Sequence, residues 1–375
     1  MRKTVCQACG HVGQGPSGRC ETCSGVAVYP DPWTAPDRAG SPATPLLVSR
    51  TPGLEGVRLK VEGANLSGSF KDRVMRVLVN EAVVDGHRGA VVASSGNAAV
   101  AAASACAPAG LPLLVLVPAA VSPQAVRMVE LRGAVVVRAG EGPAAVHGLA
   151  ARLAGQFGLA NLASTFAAAG CEWACRGIGH EIADQEPREV HKLAASISVG
   201  PVLVGAARGL VEAGRPAPSL VAAQAAACGP IARAFADGDA RVRPWTEPAP
   251  TRALAIADRL TGYADEATFA LDLIRASQGA VEAATDAEMA DARRALARHD
   301  GIDVELASAA AAAVLRRRGD AGVTTVCILT GTGIKETLAG DAAVEPSGSV
   351  EDYAALTGSG HDLEEVVAAW TRESQ

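Results

Sequence analysis

The chain has 375 residues, which is room for two or three domains. It is 49% hydrophobic but only 3% aromatic, so alanine, valine and leucine must build its core. The formal net charge is −6 and no basic stripe occurs, which argues against nucleic acid as a partner. The sequence shows no apolar secretory segment and no run of the roughly 20 apolar residues that a membrane span requires. A cytoplasmic protein with reduced thiols is therefore expected.

Four of the nine cysteines form two Cys-x2-Cys pairs, Cys6 with Cys9 and Cys20 with Cys23. The spacing suits a structural zinc ribbon, because four thiolates fill a tetrahedral site and leave no open position. Redox dithiols and free cysteines are the alternatives. The other five cysteines lie in Ala/Val-rich surroundings and are predicted to be small buried side chains: Cys106, Cys171, Cys175, Cys228 and Cys327.

Beyond a proline-rich connector (29–47), short apolar runs alternate with longer alanine-rich amphipathic segments. The apolar runs predict strands at 57–62, 89–93, 113–117, 134–138, 196–199, 219–223 and 324–329. The amphipathic segments predict helices at 72–85, 98–109, 122–132, 143–157, 171–184, 203–213, 227–237, 285–299, 305–318 and 364–372. Non-alternating apolar strands separated by helices are typical of a parallel sheet covered on both faces. The sequence predicts a doubly wound α/β fold, with ligands beyond the carboxyl ends of the strands.

The first strand-to-helix corner, NLSGSFKDR (65–73), places Lys71 after a turn of small residues, at the start of a predicted helix. Desolvation and a helix N-terminus both favour the neutral amine of a lysine, which is the form that Schiff-base chemistry requires. The alternative is a surface lysine paired with Asp72, and spacing alone favours that alternative.

The second corner, VVASSGNAAVAAASA (91–105), carries Ser94, Ser95, Gly96 and Asn97 between a strand and an alanine-rich helix. The N–H groups and hydroxyls of such a loop would face an anion at the helix N-terminus. An N-cap formed by Ser94 or Ser95 explains the same residues without a ligand.

Two later corners contain glycines. ISVGPVLVGAARGL (197–210) is laid out like a phosphate cradle, with Gly200 and Gly205 as its loop glycines. CILTGTGIKE (327–336) follows a strand with two glycines that let a ligand ring approach, beside the neutral hydroxyl of Thr330. A tight turn is the alternative for this last corner.

Taken in order, these stretches resemble the threonine synthase group of fold-type II pyridoxal-phosphate enzymes. The resemblance covers roughly residues 4–340, including the paired cysteines before the connector. The stretches that carry it are KVEGANLSGSFKDR (60–73), VVASSGNAA (91–99), ELRGAVVV (130–137), DVELASAA (303–310) and LTGTGIK (329–335).

The resemblance implies a cofactor site. Lys71 would be the Schiff-base lysine and the base for the α-proton. Asn97 would bond the cofactor 3′-oxygen, and Thr330 would lie near the pyridine nitrogen, where a hydroxyl suits elimination and replacement better than transamination. The cofactor phosphate would lie on the loop Val199, Gly200, Pro201, Val202 and Leu203, and the substrate carboxylate on Ser94, Ser95 and Gly96.

The sequence departs from the family pattern at two places. The phosphate loop lacks its middle glycine, and Pro201 offers no N–H. In AAAGCEWACRGIGHEI (167–182), only Arg176 remains of the cations that the family uses for a phosphorylated substrate. O-phosphohomoserine would then be held poorly, since arginine carries much of phosphate binding.

The expected architecture is two doubly wound parallel-sheet domains with pyridoxal 5′-phosphate in the cleft between them, behind a zinc-binding segment. The expected limits are 1–30 for the zinc-ribbon-like segment, 31–165 and 166–345 for the two α/β domains, and 346–375 for a tail helix. The expected activity is β/γ-elimination or replacement on an amino acid by a homodimer. The alternatives are β-replacement or dehydration of a serine or phosphoserine-type substrate, a catalytically reduced cofactor-binding relative, and a zinc-ribbon interaction module.

Overall fold

A computed structural model describes residues 2–34, 43–118, 121, 123–139, 143–319 and 322–336. Residues up to Lys335 form one compact unit by their contacts. The helix predicted at 364–372 and the tail predicted at 346–375 lie outside the described residues. In the described part, no helix is long and apolar enough to cross a membrane.

Thirteen strands are present in the described part of the chain. They are β1 Lys3–Cys6, β2 Val12–Gln14, β3 Ala27–Val28, β4 Leu46–Val48, β5 Arg58–Val61, β6 Ala90–Ala93, β7 Leu113–Val117, β8 Val135–Arg138, β9 Ala160–Asn161, β10 Lys192–Ser196, β11 Ser219–Ala225, β12 Ala280–Ala284 and β13 Thr325–Leu329.

Ten α-helices are described in the same ranges. They are α1 Lys71–Val84, α2 Asn97–Ala109, α3 Pro123–Glu130, α4 Pro143–Phe157, α5 Ala169–Gln185, α6 Pro201–Glu212, α7 Pro230–Ala236, α8 Ala264–Ala276, α9 Asp286–Asp300 and α10 Leu306–Arg318. The helices predicted between residues 72 and 318 are confirmed, with small shifts at their ends.

The strands form three sheets. A six-stranded sheet has the order β12-β11-β10-β13-β5-β4, and all of its pairs are parallel except β4 with β5. A four-stranded parallel sheet has the order β8-β7-β6-β9. The N-terminal strands form a small antiparallel sheet, β2-β1-β3. The α/β architecture with two parallel sheets behind a cysteine-bearing segment is therefore confirmed.

The strand order distributes the chain unevenly between the two large sheets. β5 pairs with β13 and β4 pairs with β5, so both belong to the six-stranded sheet, although the four-stranded sheet follows them in the sequence. The limits 31–165 and 166–345 stay predictions as domain boundaries, and the strand pairing shows that the six-stranded sheet draws on both ranges.

One predicted strand is misplaced and several elements were missed. The strand predicted at 196–199 occupies Lys192–Ser196, and residues 197–199 form the turn that follows it. The stretch KLAAS is rich in alanine and begins with lysine, so it gave no apolar signal. β12, with the sequence AVEAA, was missed for the same reason, because it is also rich in alanine and contains a charged residue. β4, β9 and α8 were not predicted either.

Small residues set the spacing of α5 and α6, which pack side by side. A Cβ at Gly209 would overlap the Arg176 carbonyl, and one at Gly179 would overlap the Ala206 carbonyl. The two helices therefore approach backbone to backbone. The five cysteines predicted to be buried are all buried, which confirms their interpretation as small core side chains.

Candidate active site

The segment 330–335, directly after β13, collects the predicted site residues. The Phe70 amide donates to the Thr330 carbonyl at 3.0 Å, and the Thr332 amide donates to the Gly68 carbonyl at 2.9 Å. The same segment also bonds the residues before α10, since the Glu305 amide donates to the Gly331 carbonyl at 3.1 Å. Three segments that are distant in sequence thus meet at the carboxyl end of one central strand, where an open parallel sheet places ligands.

Lys71 opens α1, and its amine turns away from the helix axis. The Nζ atom lies 3.1 Å from both the carbonyl oxygen and the hydroxyl oxygen of Ser164, and 4.7 Å from the centre of the Phe70 ring. Ser164 follows β9 of the four-stranded sheet, so the lysine bridges the two large sheets. An amine held by neutral oxygens and an aromatic face, rather than by a carboxylate, is well placed to act as a nucleophile.

The neighbours of Lys71 fix its helix turn. The alternative interpretation paired Lys71 with Asp72, but the Asp72 carboxylate accepts from the amide and the hydroxyl of Ser67, both at 2.8 Å. Burial raises the pKa of Asp72, while the two bonds from Ser67 oppose that shift. The Asp72 carboxylate therefore closes the turn before α1 and is not paired with Lys71.

Arg73 anchors the same turn through a buried ion network. It bonds Glu62 at 2.7 and 2.8 Å and Glu181 at 2.6 and 2.8 Å. Lys60, with 0% of its surface exposed, also bonds Glu181, at 2.6 Å. Burial raises the pKa of Glu181, but the bonds from Arg73 and Lys60 outweigh burial and set it to about 2. Two cations and two carboxylates thus make a neutral cluster beneath Lys71.

Asn97 is the first residue of α2, and its side chain bonds the side chains of Glu305 and Lys335. Its Nδ2 donates to the two carboxylate oxygens of Glu305 at 2.7 and 2.8 Å. Its Oδ1 accepts from the amine of Lys335, which lies 3.5 Å from Glu305. Burial lowers the pKa of Lys335, although Glu305 opposes that shift. The orientation of the Asn97 amide is thereby fixed.

The turn Ser94-Ser95-Gly96 stands open next to Asn97. Ser95 and Gly96 are exposed, and the Gly96 amide donates to the Ser94 hydroxyl at 3.2 Å. Gly96 is the N-cap residue of α2, and no side chain caps the helix. The N-cap alternative for the two serines is therefore not what the structure shows, and the exposed turn is free for an anion at a helix N-terminus.

The predicted phosphate loop has few backbone donors to offer. Gly200 precedes α6 with φ 119°, and Pro201 is its first residue. The amides of Leu203 and Val204 both donate to the Gly200 carbonyl at 3.1 Å. Val199 to Leu203 are buried, and a Cβ at Gly200 would meet Ala270 of α8 at 2.8 Å. This corner is apolar and closely packed.

Arg176, the predicted substrate cation, is engaged elsewhere. Its five N–H groups donate to Glu172, to Glu212 and to the carbonyls of Tyr29 and Asp31. The structure thus uses Arg176 to fasten the connector onto α5 and does not bring it to Lys71.

Thr330 directly follows β13. It has 9% of its surface exposed, and its carbonyl accepts from the Phe70 amide. A Cβ at the following Gly331 would lie 2.8 Å from the Glu305 carboxylate, so only glycine fits there.

The four ribbon sulfurs approach one another closely. The Sγ atoms of Cys6, Cys9, Cys20 and Cys23 lie within 4.8 Å of one another, with 3.5 Å from Cys6 to Cys23 and 3.8 Å from Cys9 to Cys20. A tetrahedral zinc with Zn–S bonds of about 2.3 Å places its sulfurs about 3.8 Å apart. The cluster therefore fits a structural metal ion.

Sequence reasoning missed three residues of the site: Ser164, Glu305 and Lys335. Glu305 and Lys335 stand inside the quoted motifs DVELASAA and LTGTGIK, so a signal existed, but their position opposite Asn97 depends on the tertiary fold. Ser164 lies in LASTFAAAG, a stretch without any distinguishing pattern.

Comparison with known proteins identifies relatives of the whole α/β region. The family described as pyridoxal-phosphate dependent enzyme matches residues 39–331. A threonine synthase from Methanosarcina acetivorans is 34% identical over 298 residues, covering 76% of this chain and 72% of the relative. A threonine synthase from Mycobacterium leprae is 30% identical over 291 residues, covering 75% and 77%.

Solved structures share the fold. Maize serine racemase superposes with a TM-score of 0.69 at 20% identity, over 80% of this chain and 90% of that one. A threonine deaminase isoform from Solanum lycopersicum gives 0.66 at 18% identity, over 78% and 80%. At these identities the likeness concerns the fold alone.

The residues present fit pyridoxal phosphate at one end of the site. Lys71 offers an amine and Thr330 a hydroxyl around the segment 330–335. The Asn97 amide also lies there, bonded to Glu305 and Lys335 in this structure. The opening of α6 fits a phosphate less well, because Pro201 has no N–H and the amides of Leu203 and Val204 are used inside the helix.

Proposed function

The chain belongs to the pyridoxal-phosphate dependent enzyme family, and on that premise we propose that it catalyses elimination or replacement at the β or γ carbon of an amino acid. Lys71 is the residue that binds the cofactor covalently. The threonine synthase relatives, which cover three quarters of the chain, support an activity among the lyases and synthases of amino-acid biosynthesis.

The observation that carries this proposal is the environment of Lys71. Its amine faces two oxygens of Ser164 at 3.1 Å, and the carboxylate next to it in sequence is occupied by Ser67. A lysine amine without a tight carboxylate partner is available to attack a carbonyl carbon and, later, to act as a base toward the substrate. Ser164 then holds the amine where the proton is transferred.

The cofactor supplies the electron withdrawal that makes an α-proton acidic. Asn97 would bond a ring oxygen of the cofactor by exchanging part of its bonding to Glu305 and Lys335, which hold its amide in this structure. Thr330 offers a neutral hydroxyl to the ring nitrogen. The exposed Ser94-Ser95-Gly96 turn binds the substrate carboxylate at the N-terminus of α2.

The substrate is an amino acid other than plain O-phosphohomoserine. The phosphate of such a substrate needs a cation, and all five N–H groups of Arg176 are engaged by other residues. Residues 167–169 and Cys171 are small, apolar side chains at the positions where the family carries its substrate cations. These small apolar side chains suit a serine-type substrate with a small leaving group.

A catalytically reduced, cofactor-binding relative is the second candidate. The observation in its favour is the closely packed, donor-poor start of α6, which would weaken binding of the cofactor phosphate. Turnover with an amino-acid panel separates the two candidates.

The test is the visible spectrum of the purified protein with pyridoxal phosphate, before and after borohydride reduction. We expect a yellow protein whose reduced adduct maps by mass spectrometry to Lys71, and turnover of a serine-type rather than a phosphohomoserine substrate. A colourless protein at saturating cofactor, or an adduct on another lysine, contradicts the proposal. The proposal also includes that the protein is a cytoplasmic homodimer, and light scattering measures its oligomeric state.

A further inference from the structure

The cysteine-bearing segment reaches into the candidate site through residues 16–19. The Gly18 amide donates to the Ala167 carbonyl at 2.8 Å, and the Ala169 amide donates to the Pro16 carbonyl at 3.0 Å. Ser17 and Ala168 form an antiparallel bridge between these bonds. The segment 164–169 is thereby held by the ribbon, just before α5 begins.

Residues 16–19 are in turn tied to the metal-binding part of the ribbon. The Ala27 amide of β3 donates to the Gly18 carbonyl at 2.8 Å, and Arg19 bridges to Val26. Cys20, a member of the cysteine cluster, follows Arg19 directly, and its amide donates to the Gly25 carbonyl. The position of residues 16–19 therefore depends on the fold of the cysteine cluster.

Two side-chain features make this junction specific. A Cβ at Gly18 would overlap the carbonyl of Phe166, so only glycine permits the approach. Arg19 reaches Glu266 of α8 at 3.0 Å, and that carboxylate is 1% exposed. Burial raises the pKa of Glu266, and Arg19 opposes that shift. The contact between residues 16–19 and segment 164–169 is thus held by backbone hydrogen bonds and by the close approach of Gly18. The Arg19–Glu266 ion pair adds a tie to α8.

We propose that the ribbon is a positioning element of the active site: with a metal in its cysteine cluster, residues 16–19 fix segment 164–169 and so the Ser164 oxygens that hold Lys71. This goes beyond a purely local structural role for the metal. It rests on the proposed function only in the role it assigns to Lys71.

Small folds of this size depend on their metal, because a short antiparallel sheet has too little core to be stable alone. Loss of the metal releases residues 16–19, and segment 164–169 loses the partners of its Ala167 carbonyl and Ala169 amide. The amine of Lys71 then loses a fixed pair of acceptors, and cofactor binding weakens.

The experiment measures hydrogen–deuterium exchange of peptides covering 164–169 in the full chain, together with metal content and the dissociation constant for pyridoxal phosphate. The samples are the metal-loaded protein, the same protein after a zinc chelator, and the variants Gly18→Ala and Arg19→Gln. Gly155→Ala in α4 is the matched control, because its Cβ meets nothing within 4 Å.

We expect exchange at 164–169 to rise roughly tenfold in Gly18→Ala, with its metal retained, and after chelation. The dissociation constant should rise several-fold in the same samples, less so in Arg19→Gln, and stay unchanged in Gly155→Ala.

Exchange at 164–169 that stays at the metal-loaded level in Gly18→Ala overturns the proposal, as does faster exchange with an unchanged dissociation constant. If chelation unfolds the whole chain, or Gly18→Ala does not fold, Arg19→Gln decides by the same two readouts. A wild-type protein that never binds pyridoxal phosphate refutes the proposed function, whereas the exchange result tests the ribbon contact separately.

Discussion

The two ends of the candidate site differ in how their polar groups are arranged. Around Lys71 and Asn97, charged side chains satisfy one another in buried networks that hold the catalytic groups in place. At the start of α6 the side chains are apolar, Pro201 has no N–H, and the amides of Leu203 and Val204 are used within the helix. The end proposed for proton transfer is thus polar and closely bonded, whereas the corner proposed for the cofactor phosphate is apolar. Four substitutions or conditions test that contrast.

The largest effect is expected at the polar end, from Lys71→Ala. Removal of the amine eliminates both the covalent attachment of the cofactor and the proposed base, so kcat/KM should fall by about 10³-fold or more. The borohydride-fixed adduct should disappear from the peptide map. Lys3→Ala, at an exposed lysine of β1, is the control and should leave both unchanged. Retained turnover in Lys71→Ala would remove Lys71 from the mechanism.

Arg73→Ala tests whether the ion network beneath Lys71 supports the site. The substitution leaves Glu62 and Glu181 without their main partner in a buried position, which should lower the free energy of unfolding by about 3–5 kcal/mol. Denaturant titration measures it. Arg294→Ala, at an exposed ion pair, should change stability by less than about 0.5 kcal/mol. Equal effects of the two variants would show that the network is dispensable.

Acid should weaken the same network over a defined range. The pKa of Glu181 falls from 4.5 to about 2 on folding, since the Arg73 and Lys60 bonds outweigh burial. Because the pKa is lower in the folded chain, the ionised carboxylate stabilises the fold at any pH above the pKa of the unfolded chain. That stabilisation is lost as the pH falls through the pKa of the folded chain. Unfolding free energy should therefore decline by about 3 kcal/mol between pH 4.5 and pH 2. Glu181→Gln should flatten this part of the profile, and an unchanged slope would contradict the assignment.

The smallest effect is expected at the apolar end, from Pro201→Gly. Glycine restores one N–H at the start of α6, which should tighten pyridoxal-phosphate binding by about three- to tenfold, the value of roughly one hydrogen bond. Fluorescence titration measures the dissociation constant. Pro230→Gly, at the equivalent position of α7, is the control. No change in Pro201→Gly would place the phosphate at another corner.

The sequence predicted the catalytic corners because each combines a strand, a turn of small residues and a helix within a few positions. Lys71 and Asn97 therefore lie at helix starts, as expected. Ser164, Glu305 and Lys335 contact these residues only after folding, and local pattern carries no information about partners more than 90 residues away. Arg176 shows the same limit, since its sequence position gives no sign that its N–H groups donate to the carbonyls of Tyr29 and Asp31 in the connector.

Strand β5 has a consequence for how the protein is made. It leads directly into the turn that carries Lys71, and its parallel neighbour is β13, whose residues 325–329 are synthesised more than 250 residues later. A chain still on the ribosome therefore holds its catalytic lysine beside an unpaired strand edge until almost all of the described fold has emerged. Contacts of such large sequence separation slow folding and prolong exposure of that edge. Shortening the chain before β13 removes both the parallel partner of β5 and the segment 330–335 that follows β13.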